Sequence, residues 1–234
     1  MAGHMRLVVF DVDGTIVDSQ AGIVAAMSHA FVTAGLDVPD PKAVRGIIGL
    51  SLEEAVARLA PEQGPERIRD LAEGYKAAFL AGLDQPQMVD QLFPGALETI
   101  TRMDEAGWLL GMATGKSRRG VERLLARFGL EQRFVAVRTA DDGPGKPHPY
   151  MLRAVMADAG CTPEQTVMIG DTTYDMEMAQ RAGAQGLGVT WGYHPAHALL
   201  ETGASALATH FGEVEALAER LLEKPKSQSE PTSP

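Results

Sequence analysis

The chain has a single cysteine, Cys161, in 234 residues. One thiol excludes an intrachain disulfide and leaves no thiolate cluster for structural zinc, so a reducing cytoplasm is the expected setting. Long hydrophobic runs are also missing. No apolar stretch approaches the roughly 20 residues that cross a bilayer, and no basic segment leads into an apolar one as in a secretory leader, so no membrane association is expected. Positive charge is scarce, with 21 Lys and Arg against 31 Asp and Glu, for a net charge of −10. Binding to a phosphate backbone needs clustered Lys and Arg, so nucleic acid is not an expected partner. A small anionic ligand stays open wherever positive charge is local.

What the chain does have is core material, at 45% hydrophobic residues, enough for one large domain or a core with an insertion. Met1-Ala-Gly-His4 ahead of Met5 resembles a cloning remnant, and residues 224–234 read as a disordered tail on composition. Between them, Leu7-Val-Val-Phe10 reads as a buried parallel strand. Residues 19–91 show helical spacing: Ile23, Met27, Ala30, Phe31 and Ala34 form one stripe, and Ile68, Leu71, Ala72, Tyr75 and Phe79 another. Ser51-Leu-Glu-Glu54 has the form of a capping box before a third helix. From Phe93 the pattern alternates helix and strand, with strands at Trp108–Ala113, Val135–Val137, Val167–Ile169, Leu187–Thr190 and near Leu207. Gly129, Gly160 and Gly183 are placed to end the intervening helices. This predicts an α/β, doubly wound, mostly parallel sheet.

Chemistry-bearing residues fall at the carboxyl ends of these strands, the edge where open α/β sheets bind ligands. Asp11-Val-Asp-Gly-Thr15 puts two acids on one side of the first strand's exit, with Val12 turned inward; the alternative is an Asp-Gly turn with solvated acids. Thr114-Gly-Lys-Ser117 joins a strand to a helix, offering either a phosphate cradle or simple caps. Lys146, within Gly145-Lys-Pro-His-Pro149, is a cation in a stiffened loop, and His148 beside it reads either as an acid/base group or as a backbone-bonded loop histidine. Asp171 and Asp175 follow Val167-Met-Ile-Gly170, and a helix starting there would place both on one face. Asp11, Asp13 and Asp171 at adjacent strand ends would repel without a hard cation, and Mg²⁺ fits oxygen ligands.

Asp11-Val-Asp-Gly-Thr15, Thr114, Lys146 and Gly170-Asp-Thr-Thr-Tyr-Asp175 together resemble, in order, the four motifs of the haloacid dehalogenase superfamily, over nearly the whole chain. Within it, the chain resembles the phosphoglycolate phosphatase-like branch. The resemblance implies a Rossmann-like core at 5–18 and 92–223, a helical cap at 19–91, and hinges near Asp18-Ser19 and Gln91–Pro94. It implies a cytoplasmic, Mg²⁺-dependent phosphatase acting on a small phosphate ester, with 2-phosphoglycolate as leading candidate. Asp11 would be the nucleophile, Asp13 the general acid and base, and Thr114, the Gly115 amide and Lys146 the phosphate ligands. The metal would lie on the Asp11 carboxylate, the Asp13 carbonyl and Asp171, with Asp175 outside them.

Asp13 separates esterase from dehalogenase, since dehalogenases replace that acid. The second motif is Thr-Gly-Lys where many relatives have Thr-Asn-Lys, so an Asn contact is absent. A sugar-phosphate mutase is disfavoured because Gly49-Leu-Ser51 is followed by Leu52 where the mutase pattern has arginine. A silent phosphate-ligand or partner-binding module is the non-enzymatic alternative. Arg45 and Lys116 are the candidates to meet a substrate carboxylate, and a monomer is expected.

Overall fold

The computed structural model describes residues 5–82 and 90–223. The expected remnant at 1–4 and tail at 224–234 lie outside the described residues. The strands, in chain order, are β1 (Leu7–Phe10), β2 (Val17–Asp18), β3 (Gln91–Leu92), β4 (Leu109–Ala113), β5 (Ala136–Arg138), β6 (Thr166–Gly170), β7 (Gln185–Val189) and β8 (Ala206–Ala208). Six of them form one parallel sheet in the order β5-β4-β1-β6-β7-β8.

β1 is central and buried throughout. Its side chains alternate faces: Val8 and Phe10 enter one apolar cluster, Leu7 and Val9 the other. That double burial is why the run is continuously apolar rather than alternating. β4 and β6 flank it, and the chain runs outward in both directions from this point, which opens a crevice at their carboxyl ends. The helices covering the sheet are α5 (Ala96–Glu105), α6 (Arg118–Phe128), α7 (Tyr150–Ala159), α8 (Thr173–Ala182), α9 (Ala196–Glu201) and α10 (Val214–Glu223), preceded by α1 to α4 below. Gly129, Gly160 and Gly183 end α6, α7 and α8 in left-handed conformation, as the sequence predicts. β5 starts one residue later than the sequence suggests. Val135 is left more than half exposed, although its N–H still donates to the Leu110 carbonyl.

The segment between β2 and β3 is helical: α1 (Gln20–Thr33), α2 (Pro41–Arg45), α3 (Leu52–Leu59) and α4 (Pro65–Gly82). These helices share an apolar cluster of their own, built from Ile23, Met27, Phe31, Val44, Val56 and Leu71. The sequence stripes missed α2, because one turn is too short for periodicity. Its signal is Asp40-Pro41, in which the Asp40 carboxylate accepts the Lys42 and Ala43 amides at 2.7 and 3.3 Å. Ser51 does precede α3, but its side chain makes no capping hydrogen bond, so the expected capping box is not formed. The residue is instead packed against the loop at Gly145, where its Cβ would lie 3.1 Å from an added methyl. Among the described residues, no helix is long and apolar enough to cross a membrane.

Candidate active site

β1 delivers Asp11 to the crevice, and the Asp11 amide continues the ladder by donating to the Ile169 carbonyl of β6 at 2.9 Å. Asp11 Oδ1 accepts the Val12 amide at 2.6 Å, while Oδ2 lies 2.8 Å from Lys146 Nζ. The same ammonium lies 2.7 Å from Asp175 Oδ1. Lys146 therefore sits enclosed between two carboxylates, with its side chain 0% exposed. Val12 is fully buried in the core, on the opposite side, as strand alternation requires.

α8 begins at Thr173, so Asp171 lies before the helix and not on a shared helical face with Asp175. Asp175 is instead the third residue of α8 and closes a capping box with Thr172: its Oδ2 accepts the Thr172 amide at 3.1 Å and the hydroxyl at 2.7 Å. One oxygen of Asp175 caps the helix while the other faces Lys146. Asp171 is held by Thr15, whose hydroxyl donates to Oδ1 at 2.9 Å, and by the Tyr193 amide, which donates to Oδ2 at 2.9 Å. The backbone wraps these acids closely. A methyl at Gly170 would fall 2.2 Å from Asp175 Cγ, so only glycine fits between strand and helix there.

Asp11, Asp171 and Asp175 each offer an oxygen within 4.8 Å of the others, and all three residues are buried. Three carboxylates against one ammonium leave a formal charge of minus two. Burial raises the Asp11 pKa to about 6, with Lys146 opposing and Asp175 adding to the rise. Asp171 is pushed well above the usual carboxylate range by burial, and then by Asp175 and Asp11. Burial would lower Lys146, but Asp11 and Asp175 outweigh it and hold the ammonium charged. Asp11 Oδ2, Asp175 Oδ1 and Lys146 Nζ have no well-directed hydrogen bond, so their contacts are ionic only. An all-oxygen donor set with an unbalanced charge of two fits a hard divalent cation.

Asp13 stands apart from this cluster. Its Oδ1 accepts the Ser19 hydroxyl at 2.6 Å and pairs with Lys116 Nζ at 2.7 Å. Lys116 also pairs with Asp90 Oδ2 at 3.1 Å, on the return linker from the helices. Burial would lower Lys116, yet Asp13 and Asp90 outweigh it and raise its pKa. The carboxylate that joins Asp11 and Asp171 is thus that of Asp175, and the Asp13 side chain is held by Ser19 and Lys116 instead. Thr114, at the end of β4, is buried and its hydroxyl accepts the Lys116 amide at 3.2 Å; Ser117 caps α6 through the Gly120 amide at 3.3 Å.

His148 is exposed and its Nδ1 accepts the Tyr150 amide at 3.2 Å, which is the backbone-bonded alternative. Between the helical segment and the sheet edge lies a cavity of about 580 Å³, bordered by Asp13, Gly115 and Lys116. Arg45 does not line it, so it is not placed to meet a ligand there. Sequence reasoning missed Ser19, Asp90 and Tyr193. Tyr193 follows β7 at the same carboxyl edge, and that placement was its one available signal.

A family model described as "Haloacid dehalogenase-like hydrolase" matches residues 8–189, which span all four motifs. The chain belongs to this family. "Probable phosphatase IndB" of Dickeya dadantii is 37% identical over 229 residues, covering 97% of this chain and 98% of the relative. "Phosphoglycolate phosphatase" of Pseudomonas putida is 32% identical over 192 residues, covering 81% of this chain and 71% of the relative. The crystal structure of a hydrolase from Pseudomonas syringae is 25% identical, with a TM-score of 0.81 over 92% of this chain and 98% of that one. Among haloacid dehalogenase-like hydrolases, these relatives place the chain with the phosphatases.

Gly115 accounts for the departure from Thr-Asn-Lys in this member of the family. A methyl there would lie 2.7 Å from the Leu50 carbonyl and 2.8 Å from that of Gly49. The 46–51 loop is seated directly on the second motif, and any side chain would displace it. From the other side, the Tyr174 hydroxyl donates to the Gly46 carbonyl at 2.9 Å.

Proposed function

We propose that this protein is a Mg²⁺-dependent phosphomonoesterase acting through an aspartyl-phosphate on Asp11, with 2-phosphoglycolate as the first ester to test. The observation that carries this reading is the buried group of Asp11, Lys146, Asp171 and Asp175 at the carboxyl edge of the sheet, whose charge a divalent cation would balance. The carboxylates of Asp11 and Asp171 and the Asp13 carbonyl would hold Mg²⁺, with Asp175 fixing Lys146 beside them. When bound, the ion supplies positive charge to the phosphoryl oxygens.

An Asp11 oxygen attacks phosphorus and the bond to the ester oxygen breaks, with Asp13, carrying a proton on the oxygen that Lys116 and Ser19 do not hold, giving it to the departing alcohol. Asp13 then takes a proton from water, whose oxygen attacks phosphorus and releases inorganic phosphate from Asp11. Lys146, Thr114 and the Gly115 amide receive the non-bridging oxygens and offset their charge. Ser19 and Lys116 hold Asp13 where it borders the cavity, on the side open to a leaving group.

Phosphate release from p-nitrophenyl phosphate and 2-phosphoglycolate tests the reading. Release should be lost in EDTA and restored by Mg²⁺; no release across a broad phosphomonoester panel would leave a silent binding module. Bisphosphate-dependent interconversion of a sugar monophosphate would select the mutase.

The raised acids give metal binding a pH dependence. Asp11 must lose its proton to bind a cation, so Mg²⁺ affinity should rise as pH increases through about 6. For the metal-free protein the sign is opposite. A carboxyl raised from 3.8 to about 6 contributes stability below 3.8 that is lost as pH rises through about 6. Calorimetric titration and melting curves between pH 5 and 8 would check both, and an affinity that falls with pH would contradict the assignment.

Gly115→Asn should lower kcat/KM about tenfold, because the side chain must push the 46–51 loop outward at an overpacking cost of about 1–3 kcal/mol. Unchanged kinetics would show that seating this loop does not contribute to turnover.

A further inference from the structure

The cavity that begins at Asp13 is a poor match for a two-carbon acid. Its roughly 580 Å³ corresponds to about twenty water volumes at ~30 Å³ each, well within the range that holds a full organic ligand. Its apolar walls are Ile23 and Met27 from α1, Ile48 and Leu50 from the loop before α3, and Tyr75 and Phe79 from α4, beside polar lining that includes Glu53, Lys76 and Asp141. The two rings stack with centroids 5.9 Å apart. These apolar side chains reward apolar surface taken from water and offer a carboxylate no hydrogen bond.

The cations are equally poorly placed for glycolate. Lys116, which touches Asp13, already pairs with Asp13 and Asp90 at 2.7 and 3.1 Å, and Lys76, also in the lining, pairs with Glu73 at 2.7 Å. A small substrate carboxylate would have to break one of those ion pairs. Arg119 and Arg123, on the face of α6 toward the cavity, are exposed and have no ion-pair partner among the described residues. In that lining they give an incoming phosphate ester local positive charge on a chain of net −10.

We propose that the leaving group of the natural substrate is a bulky, largely apolar, ring-containing alcohol that packs against Met27 and Phe79 while its phosphate reaches Asp11. This rests on the phosphatase reading above and replaces glycolate with a different class of ester in the same site.

The test compares kcat/KM of the full chain for 1-naphthyl phosphate, 2-phosphoglycolate and acetyl phosphate, the last reporting the chemistry with a small leaving group. The naphthyl ester should exceed 2-phosphoglycolate by at least about tenfold, and Phe79→Ala should reduce that ratio. A ratio at or below one, with both esters hydrolysed, overturns the inference and leaves the phosphatase intact. If the enzyme releases phosphate from none of the three compounds, the phosphatase reading falls, and binding read by naphthyl fluorescence decides the cavity. Saturable binding that weakens in Phe79→Ala supports the apolar site, and absence of binding overturns it.

Discussion

Lys146→Met should abolish turnover and lower the melting temperature of the metal-free protein by on the order of 10 °C. The side chain is 0% exposed and is the cation paired with both Asp11 and Asp175. Without it, three buried carboxylates face one another with no counter-charge, and breaking such a buried pair costs about 3–5 kcal/mol. The protein can relieve part of this by taking up protons, since Asp11 and Asp171 already hold theirs more tightly than ordinary acids. The loss should therefore be largest at alkaline pH and shrink toward pH 5. Added Mg²⁺ should recover stability but not activity, because the cation proposed to receive the phosphate is gone. Melting curves across pH, with and without Mg²⁺, check this; wild-type melting of Lys146→Met at pH 8 would mean that the lysine does not hold the acids together.

Asp11→Asn should separate the two effects. Turnover of p-nitrophenyl phosphate is expected to fall by about four orders of magnitude or more, as when a nucleophile is removed. Stability should move little or rise, because the substitution takes one negative charge out of a buried cluster that carries an excess of two. Asn can still accept the Val12 amide through its side-chain oxygen, so the exit of β1 keeps its geometry. Undiminished phosphate release by this variant would remove Asp11 as nucleophile. Calorimetry showing an unfolded variant would instead mean that the Asp11–Lys146 pair is needed to fold.

The parts of the molecule legible in the sequence were those with a local cause. The buried run before Asp11, the glycines ending α6, α7 and α8, and the acids at strand exits are each set by neighbours within a few residues. Lys146 and Asp171 could be placed because strand ends converge at one edge of a parallel sheet whatever the loops do. The double duty of Asp175 was not legible. Its capping role lies in Thr172-x-x-Asp175, but its contact with Lys146 depends on how α8 packs beside the loop after β5. The sequence offers Lys116 to a substrate carboxylate, but its partner Asp90 comes from a linker on the far side of α5 and β4. Ser51 carried a local capping signal that a tertiary contact with the Gly145 loop overrode.

β2 and β3 pair antiparallel, Val17 with Leu92 and Asp18 with Gln91, so the two ends of the helical segment leave the sheet side by side. Seen this way, the two short strands are the stem of a hairpin whose connection has grown very large. The entropy of closing a loop rises only with the logarithm of its length, so a hairpin can accept an entire helical unit for little more than it would a long turn. The strand pairing of the core then asks little of that unit beyond its two adjacent ends, while Ser19, Asp90 and the 46–51 loop are the points at which it touches the site. Away from those points the helices are free to be lengthened or reshaped while the acids at the sheet edge stay in register, so selectivity can drift in evolution with the strand ends unchanged.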